Sequence, residues 1–162
     1  MKMYRLKQEQ LLPMPIERAW EFFVHPANLP RITPPDLGFR ITGELPDKMH
    51  AGMIVTYTVT PFSGLAVDWV TEITHMCEPH FFVDEQRFGP YRLWHHQHIF
   101  KETPQGTLMT DIVHYVLPFG LLGRCAAPLV SHRVRQIFDY RRTALASELG
   151  FPAGSGTSAE GA

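Results

Sequence analysis

The chain has 162 residues, of which 44% are hydrophobic, with 15 basic and 16 acidic residues. This length supports one hydrophobic core and predicts a single domain. The charges nearly cancel and form no long basic run, which argues against nucleic-acid binding. The first residues are too polar for a secretory signal, and no apolar run approaches the roughly 18 residues of a membrane span. We therefore expect a cytoplasmic protein. Cys77 and Cys125 are expected to be buried thiols rather than a disulfide framework.

The predicted elements are, in order, a strand, two short helices, six strands and one long helix. Alternating residues predict the first strand over 3–12, and a helical stripe of apolar residues predicts a helix over 16–24. Prolines limit a second helix to about 27–32. Period-2 segments bounded by turn-forming residues predict strands at about 38–44, 53–60, 66–77, 81–88, 91–101 and 108–117. The short turns between consecutive strands predict an antiparallel meander.

The long helix is predicted over about 129–149, because apolar residues recur there at helical spacing after Pro128 and Gly150 is a stop signal. Residues 1–150 then form the domain, and 151–162 are expected to be a flexible tail. The fold class is α+β, with a curved seven-stranded antiparallel sheet, two short helices and a long C-terminal helix. Only this helix can cover the concave face of the sheet, and the space between them is a candidate ligand cavity.

The segment WHHQHIF, residues 94–100, holds three histidines in five positions. Both common loop lengths for the TPQG turn give the same pairing of the two strands that flank it. His98 then lies opposite Asp111, and His95 points to the other face of the sheet. The face predicted to be concave carries eight side chains: Trp94, His96, His98, Phe100, Met109, Asp111, Val113 and Tyr115.

Three interpretations of His96 and His98 remain open at this point. The two could be half-buried structural residues whose polar atoms are satisfied by Asp111, Tyr115 or the backbone. They could recognise a ligand or transfer protons, with Asp111 orienting one ring. They could also bind a metal together with Asp111, but the sequence offers no firm fourth ligand. We therefore expect neither a metal nor a cofactor.

Four stretches together resemble a known superfamily. They are ITPP, FVDEQRFGPYRLWHHQHIF, GTLMTDIVHYVLPFG and IFDYRR. They resemble the START, polyketide-cyclase and pollen-allergen-like (SRPBCC) superfamily, and more narrowly a bacterial branch of stand-alone ligand-binding domains, some of which are labelled cell-division inhibitors. The resemblance covers residues 4–149 and implies the helix-grip fold, a curved antiparallel sheet that holds a long C-terminal helix. It implies binding of lipids, sterols or polyketides, and it supplies no catalytic residue set.

The predicted cavity is mostly apolar, with a few polar side chains that fix the ligand's orientation. Its predicted lining is Trp94, His96, His98, Phe100, Asp111, Tyr115, Val134, Ile137, Phe138 and Arg141. Trp94 and Tyr115 could instead be simple cross-strand packing. Arg141 would suit an anionic ligand, or it could be a surface residue or the partner of Asp84 or Glu85.

Two stretches cannot be placed from the sequence. A change of one residue in a loop would exchange the inward and outward members of Asp84, Glu85 and Gln86. The segment LPFGLLGRCAAP, residues 117–128, is apolar yet interrupted by prolines and glycines. It could cover the pocket, pack as a loop or form a homodimer contact.

Three functions compete on this evidence. A binding protein for a hydrophobic small molecule needs only a cavity and polar anchors, and we favour it. A cyclase-like, aromatase-like or hydrolase-like enzyme would need a positioned base, for which His98 and Asp111 are the catalytic candidates, with Tyr115 or Arg141 stabilising an enolate. The third alternative is a protein-interaction domain that acts on cell division. The sequence does not decide whether a reaction is catalysed, although binding alone is the simpler expectation.

Overall fold

A computed structural model describes residues 1–61 and 65–152 and the backbone of residues 160–161. Its strands are β1 (Tyr4–Leu12), β2 (Arg40–Ile41), β3 (Ile54–Val59), β4 (Val67–Cys77), β5 (Phe81–Phe88), β6 (Leu93–Thr103), β7 (Gly106–Val116) and β8 (Glu160–Gly161). Its α-helices are α1 (Ile16–Val24) and α2 (Gly120–Leu149), and two 3-10 helices cover Pro26–Ile32 and Pro35–Leu37. The predicted α+β class is confirmed.

The strands form one antiparallel sheet in the order β2-β3-β4-β5-β6-β7-β1-β8. Strands β2 to β7 follow the predicted meander, and β1 closes the series by pairing with β7. The pairing of β4 with β5 shifts between Val70 and Thr71 and again between Ile73 and His75. Such bulges bend a strand and increase its twist, which curves the sheet. The two-residue strand β8 adds a short pairing to β1 beyond the seven predicted strands.

Helix α1 follows directly from its sequence. Pro15 precedes its first turn with a φ of −58°, which already suits a helix start. The apolar stripe predicted for this helix faces the core, and Ala19 and Trp20 are almost completely buried. The helix therefore covers one end of the concave face of the sheet.

Helix α2 lies across the remaining concave face, as predicted, and buries its own side chains Val134 and Phe138 against the sheet. Its start differs from the prediction, because the helix begins at Gly120 and continues through Pro128. A proline removes one backbone hydrogen bond from a helix interior. Here Ala127 packs into a buried cluster beneath the helix, and this packing outweighs the local preference. Residues 120–128 are therefore helical, and not an irregular cover of the cavity.

The first turns of α2 expose several large apolar side chains. Leu121 and Leu122 are 74% and 77% exposed, and Phe119 and Leu129 are also exposed. The expectation of buried thiols is wrong, since Cys77 and Cys125 are both free and exposed. Within the described residues, no helix is both long and apolar enough to span a membrane.

The hairpin of β6 and β7 has the predicted register. His98 pairs with Asp111 and Trp94 with Tyr115, across a turn in which Thr103 pairs with Gly106. Gly106 has a φ of +129°, and a Cβ there would lie 2.3 Å from the Leu12 carbonyl oxygen, so this close approach to β1 requires glycine. Most of the predicted tail, residues 153–159 and 162, lies outside the described residues.

Candidate functional site

A partly enclosed cavity of about 190 Å³ lies between α2, the 3-10 helix Pro26–Ile32 and the concave face of the sheet. Helix α2 contributes Val134, Ile137, Phe138 and Arg141 to its lining. The cavity exists because α1 and α2 cover different parts of the same curved face and do not fill the space between them.

One wall of the cavity is aromatic. Tyr57 stacks on Trp69 with ring centroids 5.8 Å apart, and Trp69 meets the edge of Trp94 at 5.5 Å. Phe39 also lines the cavity and packs on Tyr57, with ring centroids 4.7 Å apart. The Thr71 hydroxyl accepts a hydrogen bond from Trp69 Nε1 at 3.0 Å and lies 2.8 Å from the Tyr57 hydroxyl. These bonds satisfy the polar atoms of the wall and fix its rings.

Next to the aromatic wall lies a group of four buried or partly buried residues, Asp84, His96, His98 and Asp111, which we call the His–Asp cluster. Three of them, Asp84, His96 and His98, line the cavity. His96 Nε2 hydrogen-bonds Asp111 Oδ1 at 2.9 Å, and His98 Nε2 hydrogen-bonds Asp84 Oδ2 at 3.0 Å. The two remaining approaches are equally close: His96 Nδ1 lies 3.1 Å from Asp84 Oδ2, and His98 Nδ1 lies 2.9 Å from Asp111 Oδ1. His98 Nδ1 nevertheless has no hydrogen-bond partner of acceptable geometry among the described residues.

Packing holds the two imidazole rings in place. The His98 ring stacks on Phe82 with centroids 4.0 Å apart, and the His96 ring meets the edge of Phe138 at 5.3 Å. The two imidazoles are themselves only 3.8 Å apart. Because the rings cannot turn without disturbing the core, the cluster is preorganised.

The cluster is strongly coupled electrostatically. Burial raises the pKa of Asp84, but the charge of His96 and hydrogen bonds from both rings outweigh it and hold that pKa well below its usual range. Burial likewise opposes ionisation of Asp111, yet the hydrogen bond from His96 and the closeness of both imidazoles hold its pKa well below the usual range. Burial lowers the pKa of His96, whereas the Asp84 charge and the Asp111 hydrogen bond raise it more, and the net shift is upward.

Arg141 brings a positive charge into the same cavity. Its guanidinium carbon lies 5.1 Å from the centre of the Phe138 ring. Its Nε is buried and has no hydrogen-bond partner among the described residues. The expected alternative partners are engaged elsewhere, since Asp84 contacts the histidines and Glu85 contacts His95 on the outer face. Arg141 is thus a cation that faces the cavity with no carboxylate paired to it in the described part of the chain.

The structure divides the predicted lining residues into two groups. Seven of them line the cavity: Trp94, His96, His98, Val134, Ile137, Phe138 and Arg141. The other three do not. Phe100 lies in the packed core, 5.6 Å from Trp20 between ring centroids, and Asp111 lies behind the two imidazoles. Tyr115 stacks on Tyr4, and its hydroxyl lies 2.8 Å from Ser131 Oγ.

Sequence reasoning left open or missed several residues of the site. Asp84 pairs with His96 across β5 and β6 and therefore shares its inward face, whereas Glu85 points outward. Gln86 closes the turn before β6 by bonding both backbone polar groups of Tyr91. Tyr57, Trp69 and Thr71 were not predicted, although their alternation on β3 and β4 is a signal that could have placed them on the inward face.

Comparison with known proteins shows the fold alone. Neither a protein-family model nor a curated protein matches the chain. Protein Ms6760 from Mycobacterium smegmatis is 19% identical, with 90% of each chain covered and a TM-score of 0.65. TTHA0849 from Thermus thermophilus is 16% identical, with 90% of this chain and 96% of that chain covered and a TM-score of 0.67. Major latex-like protein 151 from Panax ginseng is 12% identical, with 90% and 97% covered and a TM-score of 0.64.

These structures share the arrangement of elements described above. The chain therefore has the helix-grip fold, in which an antiparallel sheet holds a long C-terminal helix. A fold hosts many functions, and function has to be argued from the site.

Proposed function

We propose that the protein binds an apolar small molecule carrying an anionic or hydroxyl group, in the cavity between α2 and the sheet. The observation that supports this proposal most directly is Arg141, a cation that faces a mostly aromatic cavity and has no carboxylate partner among the described residues. A partly buried charge without a partner is unfavourable. A ligand carboxylate or enolate would supply the partner, and the aromatic wall would bury the rest of the ligand.

The size of the cavity narrows the ligand class. An engineered cavity of about 150 Å³ in another protein binds benzene. A cavity of about 190 Å³ therefore has room for a ligand of one or two rings, and a longer molecule would have to extend out of it. Burial of apolar area contributes roughly 25 cal/mol for each Å². We expect compact aromatic acids of the polyketide type to bind more tightly than sterols.

The test is titration calorimetry and thermal shift with a panel of fatty acids, sterols and aromatic polyketide-like acids, each acid paired with its methyl ester. EDTA is present throughout, so that metal ions do not contribute. Because a hydrogen bond to a charged group contributes about 1.5–3 kcal/mol, we expect an acid that binds to exceed its ester by at least about tenfold. Arg141→Met should remove that preference and leave the binding of the ester unchanged.

Two further variants complete the test. Arg135→Met is the matched control, since Arg135 is exposed on the same helix and does not line the cavity. It should bind the acids as the wild type does. His98→Ala should weaken binding without unfolding the domain if the cluster contacts the polar end of the ligand. A panel without a single hit, or an acid preference that survives in Arg141→Met, would contradict the proposal.

The proposal does not include catalysis. The candidate enzyme would use His98 as a base oriented by Asp111, but His98 hydrogen-bonds Asp84 instead, and its Nδ1 has no hydrogen-bond partner in the described residues. Asp111 hydrogen-bonds His96. His98 and Asp111 therefore each hydrogen-bond a different residue and do not form a catalytic pair with each other. Binding is the function that this geometry supports best.

Three further parts of the hypothesis rest on narrower support. We propose membership of the bacterial stand-alone branch of the superfamily because of the GPYxxWxHxHxF and GTxxxDxVxY patterns. We propose a cytoplasmic location because two exposed free thiols suit a reducing compartment.

We propose a homodimer through the exposed apolar turns at the start of α2, which Leu122→Glu should dissociate in sedimentation velocity. No described residue gives physical support to a cell-division activity.

A further inference from the structure

The near nitrogens of the two cluster histidines converge on one carboxylate oxygen. His96 Nδ1 and His98 Nε2 lie 3.1 Å and 3.0 Å from Asp84 Oδ2. Among the described residues, Asp84, His96 and His98 form the group of side chains whose ligand atoms are close enough to hold a metal ion together. All three also line the cavity.

The orientation of the two rings makes this convergence informative. Each imidazole directs one nitrogen toward Asp111 Oδ1 and the other toward Asp84 Oδ2. A cation at the point where His96 Nδ1, His98 Nε2 and Asp84 Oδ2 meet would contact all three side chains.

The distances suit a metal ion. In tetrahedral geometry, bonds of about 2.0–2.2 Å from zinc to nitrogen and oxygen place neighbouring ligand atoms about 3.3–3.6 Å apart. His96 Nδ1 and His98 Nε2 lie 3.1 Å and 3.0 Å from Asp84 Oδ2, a few tenths of an ångström short of this range. Two imidazoles and one carboxylate are the donors that Zn²⁺ and Fe²⁺ use when positions remain open for water or substrate.

Asp111 has the position of a residue that supports metal ligands. Metal-binding histidines commonly donate the ring N–H on the far side to a carboxylate, which fixes the tautomer. The far nitrogens of His96 and His98 both lie 2.9 Å from Asp111 Oδ1. When a metal ion binds His98 Nε2, the ring proton moves to Nδ1 and can be donated toward Asp111. Nδ1 is the buried atom of His98 that has no hydrogen-bond partner among the described residues.

We propose that Asp84, His96 and His98 bind one divalent first-row transition metal ion, with Asp111 as the positioning residue behind both imidazoles. The open coordination positions would face the cavity. This inference replaces the expectation of a metal-free protein, and it uses Asp84 as the carboxylate ligand where the sequence suggested Asp111. It does not depend on the proposed ligand, because the metal ion alone is the probe.

The experiment uses the full chain without a histidine tag, stripped with EDTA and then titrated with Zn²⁺ against a chromophoric chelator and with Co²⁺ by visible absorption. We expect one ion per chain. Asp84→Asn and His98→Gln should each weaken binding by at least about 100-fold, and Asp111→Asn by about 10-fold to 100-fold. Circular dichroism of each variant in EDTA checks that it folds.

The matched control is His95→Gln. His95 is the neighbour of His96 but faces outward, with Nδ1 2.9 Å from Glu85 Oε1. Its substitution should change metal affinity by less than about twofold. If His95→Gln abolished binding while Asp84→Asn retained it, the ion would sit on the outer face and the proposal would be wrong.

A second readout covers variants that fail to fold. In Co²⁺-loaded wild type, NMR should show paramagnetically shifted N–H resonances from two imidazoles. Absence of such resonances, or no binding of either ion at micromolar concentration, would show that the cluster holds protons only. The ligand titrations in EDTA are unaffected by that outcome, so the two proposals fail independently.

Discussion

Phe100 and His98 are two residues apart on the same face of β6, yet they lie in different environments. Phe100 is 2% exposed and packs against Trp20, Phe23 and Phe82 beneath α1. His98 lies at the edge of that packed region, where it stacks on Phe82 and reaches the cavity. The same strand thus contributes to a filled core at one end and to an open site at the other.

The difference comes from the element that lies above each residue. Helix α1 carries large aromatic side chains down into the sheet and fills the space over Phe100. Over His96 and His98, α2 supplies Phe138 and Arg141, which leave room between them. A curved sheet covered by two separate helices therefore provides both stability and a site, and substitutions should distinguish the two regions.

The largest effect is expected for Phe100→Ala. Removing a fully packed aromatic side chain leaves a void that the rigid surroundings cannot fill, and the free energy of unfolding should fall by about 3–5 kcal/mol. Phe39→Ala is the comparison, because Phe39 is only partly buried and borders existing space. It should cost less than half as much in urea unfolding. Equal costs would show that the cavity wall is packed as tightly as the core.

Phe138→Ala should have an intermediate effect. Phe138 is 2% exposed but also lines the cavity, so part of the space that its loss creates merges with space already present. We expect a loss of about 2–3 kcal/mol in unfolding free energy. We also expect weaker ligand binding by calorimetry, unlike Phe100→Ala, which should affect stability alone. Unchanged ligand affinity in Phe138→Ala would show that Phe138 of α2 does not contact the ligand.

The pH dependence of stability should follow the His–Asp cluster. The pKa values of Asp84 and Asp111 are lowered by folding, so their contribution is present above the unfolded value of about 3.9 and is lost as the pH falls through the folded values. The pKa of His96 is raised, so its contribution is present below about pH 6.5 and is lost as the pH rises through the folded value. Stability of the metal-free protein should peak between about pH 4 and 6.5.

Thermal unfolding in EDTA from pH 3 to 9 measures this profile, and we expect the unfolding temperature to fall on both sides of the peak. Asp111→Asn is the comparison, since it removes one carboxylate at little change in volume. Its profile should be flatter on both sides of the peak. A wild-type profile that is flat across this range would show that the cluster does not change protonation on unfolding.

The smallest effect is expected on the outer face of β6. His95 pairs with Glu85 at a half-exposed position, where an ion pair contributes little, so His95→Gln should change the unfolding free energy by less than about 0.5 kcal/mol. His96→Gln should cost more, about 1–3 kcal/mol, because it removes the ring N–H that donates to the buried Asp111 carboxylate. Equal effects of the two substitutions would contradict the assignment of faces on β6.

The sequence by itself determined the order of elements, the register of β6 and β7 and the faces of their side chains. These features depend on local rules, since alternation assigns faces and a short turn fixes pairing. It also determined that α2 turns Val134, Ile137 and Phe138 toward the sheet. Each of these residues lies on a helical stripe that can be read from spacing alone.

Only the tertiary structure decided which inward residues meet empty space. Phe100 and Tyr115 share the inward face with His98, but contacts with Trp20 and Tyr4, which are distant in sequence, enclose them. Asp84 joined the site because the β5–β6 pairing set its side. Helix α2 began earlier than Pro128 indicated because burial of Ala127 outweighed a local break. Packing between elements is decided by shape across the whole domain, which no local pattern encodes.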